Sequence, residues 1–307
     1  MKIAVPDLIS NSYFPVVAAV ELGFFEAEGL QLALELIYPV DKAYQMLRDG
    51  RVEFIGGAAH AVPAAFPDWR GAKLLAALAQ GMYWFLVMGA DLDARRGDLG
   101  IVKGRRIGAA PMVELGLKRL LVEAGIDLER DRVTIAPVPG STAPGINFGM
   151  AAAKALEDGK IDGFWANGMG AETAVRRGVG TVVLDVRRGD GPPAAFHYTM
   201  PALVATEAFV ARDPGCAAAA VRALVSTQKA LKADIRRATE AAKNVFPAAE
   251  AALIADVVAR DLAYYDPAIS KDSFDRMNQF VRDTGLARNP LPYDDVVATE
   301  LRHLWTT

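Results

Sequence analysis

LRDGRVEFIGGA, at residues 47–58, returns as LEDGKIDGFWAN at residues 156–167. Aligned without a gap, Leu47, Asp49, Gly50, Arg51, Val52 and Glu53 meet Leu156, Asp158, Gly159, Lys160, Ile161 and Asp162. In each copy the spacing predicts a helix that stops at the glycine, which accepts the left-handed conformation helix ends favour. A short apolar run follows and opens into Gly, Ala or Asn, as a buried strand does before a loop. Asp-Gly is a common helix stop by itself, but six correspondences in order favour duplication over chance. The chain is therefore expected to build two similar α/β lobes. The strand ends, GGAAH at 56–60 and WANGMG at 165–170, are then where a ligand would be met, because open α/β sheets bind at the carboxyl ends of their strands.

The 307 residues suffice for two domains of ordinary size or one large one. A hydrophobic content of 52% excludes a disordered chain. The 34 Lys and Arg against 37 Asp and Glu are dispersed, so no basic stripe calls for nucleic acid. Charges interrupt every apolar run short of the roughly 20 residues a membrane span needs, so no membrane insertion is expected. The opening MKIAVPDL goes straight from one Lys into strand-like sequence and does not read as an export signal. Either the protein stays in the cytoplasm or a leader has been removed. The single Cys216, in an Ala-rich helical stretch, reads as core packing rather than a nucleophile. His60, His197 and His303 lack metal-ligand spacing, and neither a metal nor a cofactor is expected.

In chain order, residues 3–5 read as a strand, and Asn11 or Ser12 as the cap of a helix from Pro15 to Leu22. A strand within 31–38, a helix from 41 to 50 and a strand at 53–57 follow. Next come a short helix at 61–65, a strand at 73–79, an aromatic turn at 80–85 and a crossing strand at 86–88. In the second lobe, 105–110 is a strand, and Pro111 opens a helix with the stripe Leu117, Leu120, Leu121 and Ala124, stopped by Gly125. Residues 133–138 form a strand, PGSTAPG at 139–145 a loop, 148–156 a helix, 171–177 a helix and 181–186 a strand. RRGDGPP at 187–193 reads as a linker, and 198–202 as the return crossing. From 214 onward the sequence reads as helices at 214–233, 234–245, 248–263, 270–284 and 294–305.

Three features carry a family resemblance: a Tyr-Phe-Pro helix start followed by GFFEAEGL at 23–30, DGRVEFIGG at 49–57, and VKGRRIGA at 102–109 before a proline. With the Gly-Ile-Asp turn at 125–127, the chain resembles the solute-binding proteins of nitrate, sulfonate, taurine and pyrimidine-precursor ABC importers over residues 1–285. The resemblance implies a periplasmic binding protein type II-like fold: two α/β lobes, a hinge of two crossing strands and a ligand cleft between the lobes. The expected division is 1–88 with 197–307, including the C-terminal helices, against 89–196. It also implies periplasmic residence and an ABC permease as partner, with the cytoplasm left open by the missing signal. Related pyrimidine synthases use a cysteine-rich loop with iron, which a chain with one cysteine lacks.

His60 follows the first repeat strand, so its imidazole is a candidate for ligand contact or proton exchange, or simply for holding its loop. Gln80, Tyr83 and Trp84 lie beside a predicted crossing, and Trp165 and Asn167 end the second repeat strand. Two indoles at strand ends, placed on opposite lobes, are suited to sandwich something flat. Trp69 reads instead as packing on the lobe surface. Asn11 and Tyr13 are polar groups placed to orient a ligand, and the free backbone N–H groups of the helix start at Pro111, Met112 and Val113, those after the proline, suit an anion. Glu114 in the same turn would disfavour strongly anionic ligands. No phosphate loop, nucleophile elbow or Ser/His/Asp set is evident. The function read from these residues is binding of a small, flat, polar solute, an aromatic or heteroaromatic acid or pyrimidine-like compound, which the resemblance places in ABC import. The alternative is a cytoplasmic enzyme on the same scaffold, such as an aromatic-acid decarboxylase with His60 as acid or base.

Overall fold

The computed structural model describes residues 1–8, 10–141 and 147–306. The chain forms two compact α/β units, one of Met1–Gly81 with His197–Thr307, the other of Met82–Phe196. The first unit holds β1 (Lys2–Val5), β2 (Ala33–Leu36), β3 (Phe54–Ala58), β4 (Ala72–Ala77) and β10 (Pro201–Thr206). The second holds β5 (Phe85–Gly89), β6 (Arg106–Ala109), β7 (Thr134–Ala136), β8 (Gly163–Ala166) and β9 (Gly180–Asp185). Residues 86–88, expected to end the first lobe, thus lie in the second unit.

The two sheets repeat one plan. The first runs β2-β1-β3-β10-β4 and the second β7-β6-β8-β5-β9. In each, three parallel strands are followed by one antiparallel strand. A register shift accompanies the next pairing in both sheets, at Leu203/Val204 and at Leu86/Val87. The antiparallel strands, β10 and β5, are the first strands formed after the chain passes from one unit to the other. β3 and β8 are buried along their whole length, which explains their unbroken apolar sequence: a strand covered on both faces has no polar side to alternate.

Hydrogen bonds bear out the repeat. Helix Val40–Arg48 ends at Asp49, and Gly50 follows at φ 67°. Gly50 N–H donates to the Leu47 carbonyl, and Arg51 N–H reaches back to Met46. Helix Phe148–Glu157 ends at Asp158, and Gly159 follows at φ 68°. Its N–H donates to Leu156, and that of Lys160 to Ala155. This pair of bonds defines a Schellman stop and needs a residue tolerant of positive φ.

Several predicted elements shift. Asn11 and Ser12 do not cap the first helix, which spans Phe14–Glu21 with Tyr13 at the cap position and no side-chain cap bond. The second-lobe helix does not open at Pro111; it spans Glu114–Glu123, because Met112 takes φ 69° and breaks the helical path. Residues 61–64 fall in a 3-10 turn, Ala59–Ala64, and Ala65 caps its end. The last predicted helix is split into Tyr293–Val296 and the 3-10 turn Thr299–Leu304. Between them Val297 is extended and bridges Leu74, the Ala298 N–H donates to the Leu74 carbonyl, and Trp305 Nε1 donates to the Leu75 carbonyl at 2.9 Å. Pairing to β4 has overridden local helix preference. The helices Pro214–Ala233, Arg236–Ala242, Ala248–Asp261 and Lys271–Asp283 all belong to the first unit. Residues 142–145 of the PGSTAPG stretch lie outside the described residues.

No atom lies within 4 Å of a Cβ built on Gly50 or Gly159. Replacing either by Ala should therefore cost only the left-handed backbone penalty, about 1–2 kcal/mol. Chemical denaturation of Gly50→Ala and Gly159→Ala should show that loss in both, and Asn at the same positions should recover part of it.

Candidate functional site

The candidates of the first unit gather where β1 and β3 end. The loop after β1 buries Ser10, Asn11 and Ser12, and Tyr13 beside them is 5% exposed. Asn11 donates through Nδ2 to Asp261 Oδ2, and the Tyr265 hydroxyl donates to the Asn11 carbonyl. Asn11 Oδ1 is buried and has no partner among the described residues. Asn11 therefore joins a tertiary network, which is why it does not cap the neighbouring helix.

Beyond β3 the backbone is held from two sides. The Tyr44 hydroxyl donates to the Ala58 carbonyl at 3.1 Å. A Cβ on Gly57 would stand 2.9 Å from that hydroxyl, so glycine makes room for it. Burial first, then the neighbouring Tyr13, pushes the Tyr44 hydroxyl well above its ordinary pKa, keeping it a donor. Ala59 N–H donates to the Met200 carbonyl. His60 is fully buried; its Nδ1 lies 2.9 Å from Thr199 Oγ1, and its ring meets Phe280 edge-on at 5.7 Å. Position predicted a ligand contact for His60, and the geometry gives it a role in fixing its turn. Gln80 likewise holds backbone, donating through Nε2 to the carbonyls of Asp266 and Ala268 at 2.9 and 2.7 Å.

In the second unit the candidates form an aromatic cluster. Trp84 and Trp165 do not sit on opposite lobes as expected: both belong to this unit, with ring centroids 6.3 Å apart. Tyr83 packs on Trp84 at 4.7 Å, and the Arg187 guanidinium lies over the Tyr83 ring at 5.4 Å. Arg187, read from sequence as linker, is 5% exposed and part of this cluster; nothing in RRGDGPP marks a buried arginine. Trp165 is fully buried on β8, paired with Leu86 of β5 and Ala109 of β6. Its indole Nε1 has no partner among the described residues.

Asn167 caps the helix Gly168–Arg176, its Oδ1 accepting from the Gly170 N–H at 3.1 Å. Pro111, Met112 and Val113 are half-buried and precede the helix that Glu114 begins. Glu114 stands 3.9 Å from Lys118 one turn on. Trp69 is not surface packing but core: it is fully buried and donates through Nε1 to Asn278 Oδ1 at 2.8 Å. Cys216 is buried in its helix, and burial pushes its thiol pKa up, away from the reactive thiolate. Among the described residues no group of three or more His, Cys, Asp and Glu is arranged to hold a metal. None of their helices is long and apolar enough to cross a membrane.

A family model described as NMT1/THI5 like matches residues 10–238. No curated protein matches the chain by sequence. A solved structure from Bordetella bronchiseptica RB50 is similar with a TM-score of 0.77 at 19% identity, covering 99% of this chain and 96% of its own. The alkanesulfonate-binding protein SsuA from Xanthomonas axonopodis pv. citri, bound to MOPS, is similar with a TM-score of 0.69 at 14% identity, over 98% of this chain and 96% of that one. A mutant of the desulfurization enzyme DSZB in complex with biphenyl-2-sulfinic acid gives 0.67 at 15% identity, over 99% and 98%. At such identities these likenesses show a shared fold, and that fold serves a binding protein and an enzyme alike.

The hold of Thr199 on His60 makes a prediction about stability. Thr199→Val keeps the volume and removes a buried hydrogen bond to the imidazole, at a cost of about 1 kcal/mol. Denaturant unfolding should show that loss.

Proposed function

We propose that this chain, which belongs to the NMT1/THI5-like family, is a solute-binding protein that captures a small, flat, polar organic molecule for ABC import. The solute class is an aromatic or heteroaromatic acid or a pyrimidine-like compound. The observation that carries the reading is the Trp165 indole, whose N–H is buried without a partner among the described residues at the end of a strand. A buried donor left unpaired costs about 1–3 kcal/mol, and native proteins keep few of them without a use. A planar solute with an acceptor on its edge would pair that N–H while its ring met the surrounding aromatic faces.

The contacts proposed centre on Trp165, Trp84 and Tyr83 in the second unit, with Met112 near the start of the following helix. Gln80 and Asn167 already hold backbone, so they are supports rather than the first choice for contact. His60 is in the same position. The enzyme reading has the desulfurization enzyme as a precedent for its fold, but its proposed acid or base is the buried, Thr199-bound His60. Permease and ATPase partners and a periplasmic location follow from the import reading.

Native mass spectrometry of the purified protein should reveal a co-purified small molecule of defined mass. With that molecule, Trp165→Phe removes the indole N–H together with part of a buried ring, so stability and affinity are measured on the same variant. Stability should fall, because a smaller side chain leaves a cavity in a filled site, while the dissociation constant of the folded variant weakens by about tenfold or more, the value of one hydrogen bond. A folded variant with full affinity would take Trp165 out of the site. Conversion of the molecule by wild type, abolished in His60→Ala, would replace the import reading with the enzyme.

A further inference from the structure

The chain leaves the first unit between Gly81 and Met82, and the residues just before that step are bonded to a distant part of the sequence. The Ala77 N–H donates to the Pro267 carbonyl at 2.9 Å, and the Gln80 N–H to the Tyr264 carbonyl at 2.7 Å. Gln80 Nε2 adds its bonds to the carbonyls of Asp266 and Ala268. Gln228, fully buried in helix Pro214–Ala233, donates through Nε2 to the carbonyls of Ala77 and Leu78 at 3.1 and 2.9 Å. The next residue, Gly81, takes φ 70°, a conformation glycine adopts without steric cost.

Residues 264–268 lie beyond the span matched by the family model and have an anchor of their own. Tyr265 is fully buried, and its hydroxyl donates to the Asn11 carbonyl in the loop after β1. Asp266 Oδ1 accepts from the Ala268 N–H at 2.9 Å, which closes the segment on itself. One short segment thus holds the loop through a side chain and the crossing through its carbonyls. A chain that moves between two arrangements bends at a few residues and stays rigid beside them. We propose that residues 264–268 are a clasp. It keeps residues 77–80 rigid up to Gly81, so that movement of one unit against the other turns at that glycine. It also makes this hold depend on the position of the loop at Asn11. The clasp goes beyond the solute-binding reading, and its test uses no solute.

Hydrogen–deuterium exchange on the full chain reads the clasp directly. Tyr265→Phe removes one hydroxyl and no atom bonded to residues 77–80. Exchange at the Ala77 and Gln80 amides should nevertheless accelerate about tenfold, the worth of one hydrogen bond. Gln80→Met keeps the side-chain length and loses both side-chain donors. Nitroxide labels on Lys42→Cys and Val122→Cys, exposed positions with one in each unit, read the spacing of the units by double electron–electron resonance in a Cys216→Ala background. Their distance distribution should broaden in Gln80→Met. Should that variant fail to fold, Asp266→Ala, which opens the segment's own turn, takes its place and should broaden the distribution in the same way. Unchanged exchange at Ala77 and Gln80 in folded Tyr265→Phe would sever the loop from the crossing. An unchanged distribution in the folded clasp variant would show that the hold has no part in movement. Either result overturns the proposal and leaves the solute-binding reading standing.

Discussion

Each sheet depends on a strand that the chain supplies only after leaving the other unit. β3 is paired on one edge by β1 and on the other by β10; β8 is paired by β6 and β5. Without the antiparallel partner, an apolar strand buried on both faces would leave a row of backbone groups unpaired, and such groups are costly in an interior. The constraint reaches into the candidate site. Ala58 pairs with Pro201, Ala59 bonds Met200, and His60 is fixed by Thr199, all on or just before β10. Trp165 likewise lies between Leu86 of β5 and Ala109 of β6. The returning strands thus set both the sheets and the residues at their ends.

The duplicated plan was legible because its signals are local. Gly50 and Gly159 announce the same left-handed stop, and the hydrogen bonds around them match atom for atom. Helix Pro214–Ala233 was legible for the same reason: Asp213 and Pro214 mark its start, and the Asp213 side chain accepts from Cys216 N–H. Elements decided by distant partners were not. Val297 sits in a helical pattern, yet pairing with Leu74 pulls it straight. Nothing near Asn11 in sequence points to Asp261, 250 positions away, so its amide was read as a cap.

The candidate site shows the same division. Position at strand ends singles out neighbourhoods, but it does not rank the residues within them. His60, Gln80 and Asn167 are polar and well placed, and each has backbone or a hydroxyl to satisfy it. Trp69 and Trp165 are both fully buried indoles, although the sequence places one on the lobe surface and the other at a ligand. The difference is one atom: the Trp69 N–H meets Asn278, whereas that of Trp165 meets nothing described.

Satisfaction of polar atoms is therefore a sharper guide to function here than residue type or depth. A buried group that is fully bonded serves the fold. One left unpaired works against it, by about 1–3 kcal/mol, which is a sizeable part of the roughly 5–15 kcal/mol that holds a domain together. Asn11 Oδ1 and Trp165 Nε1 are an acceptor and a donor of this kind, one in each unit. Trp69 marks the contrast: at the same depth as Trp165 its N–H is bonded to Asn278, and the residue serves the core.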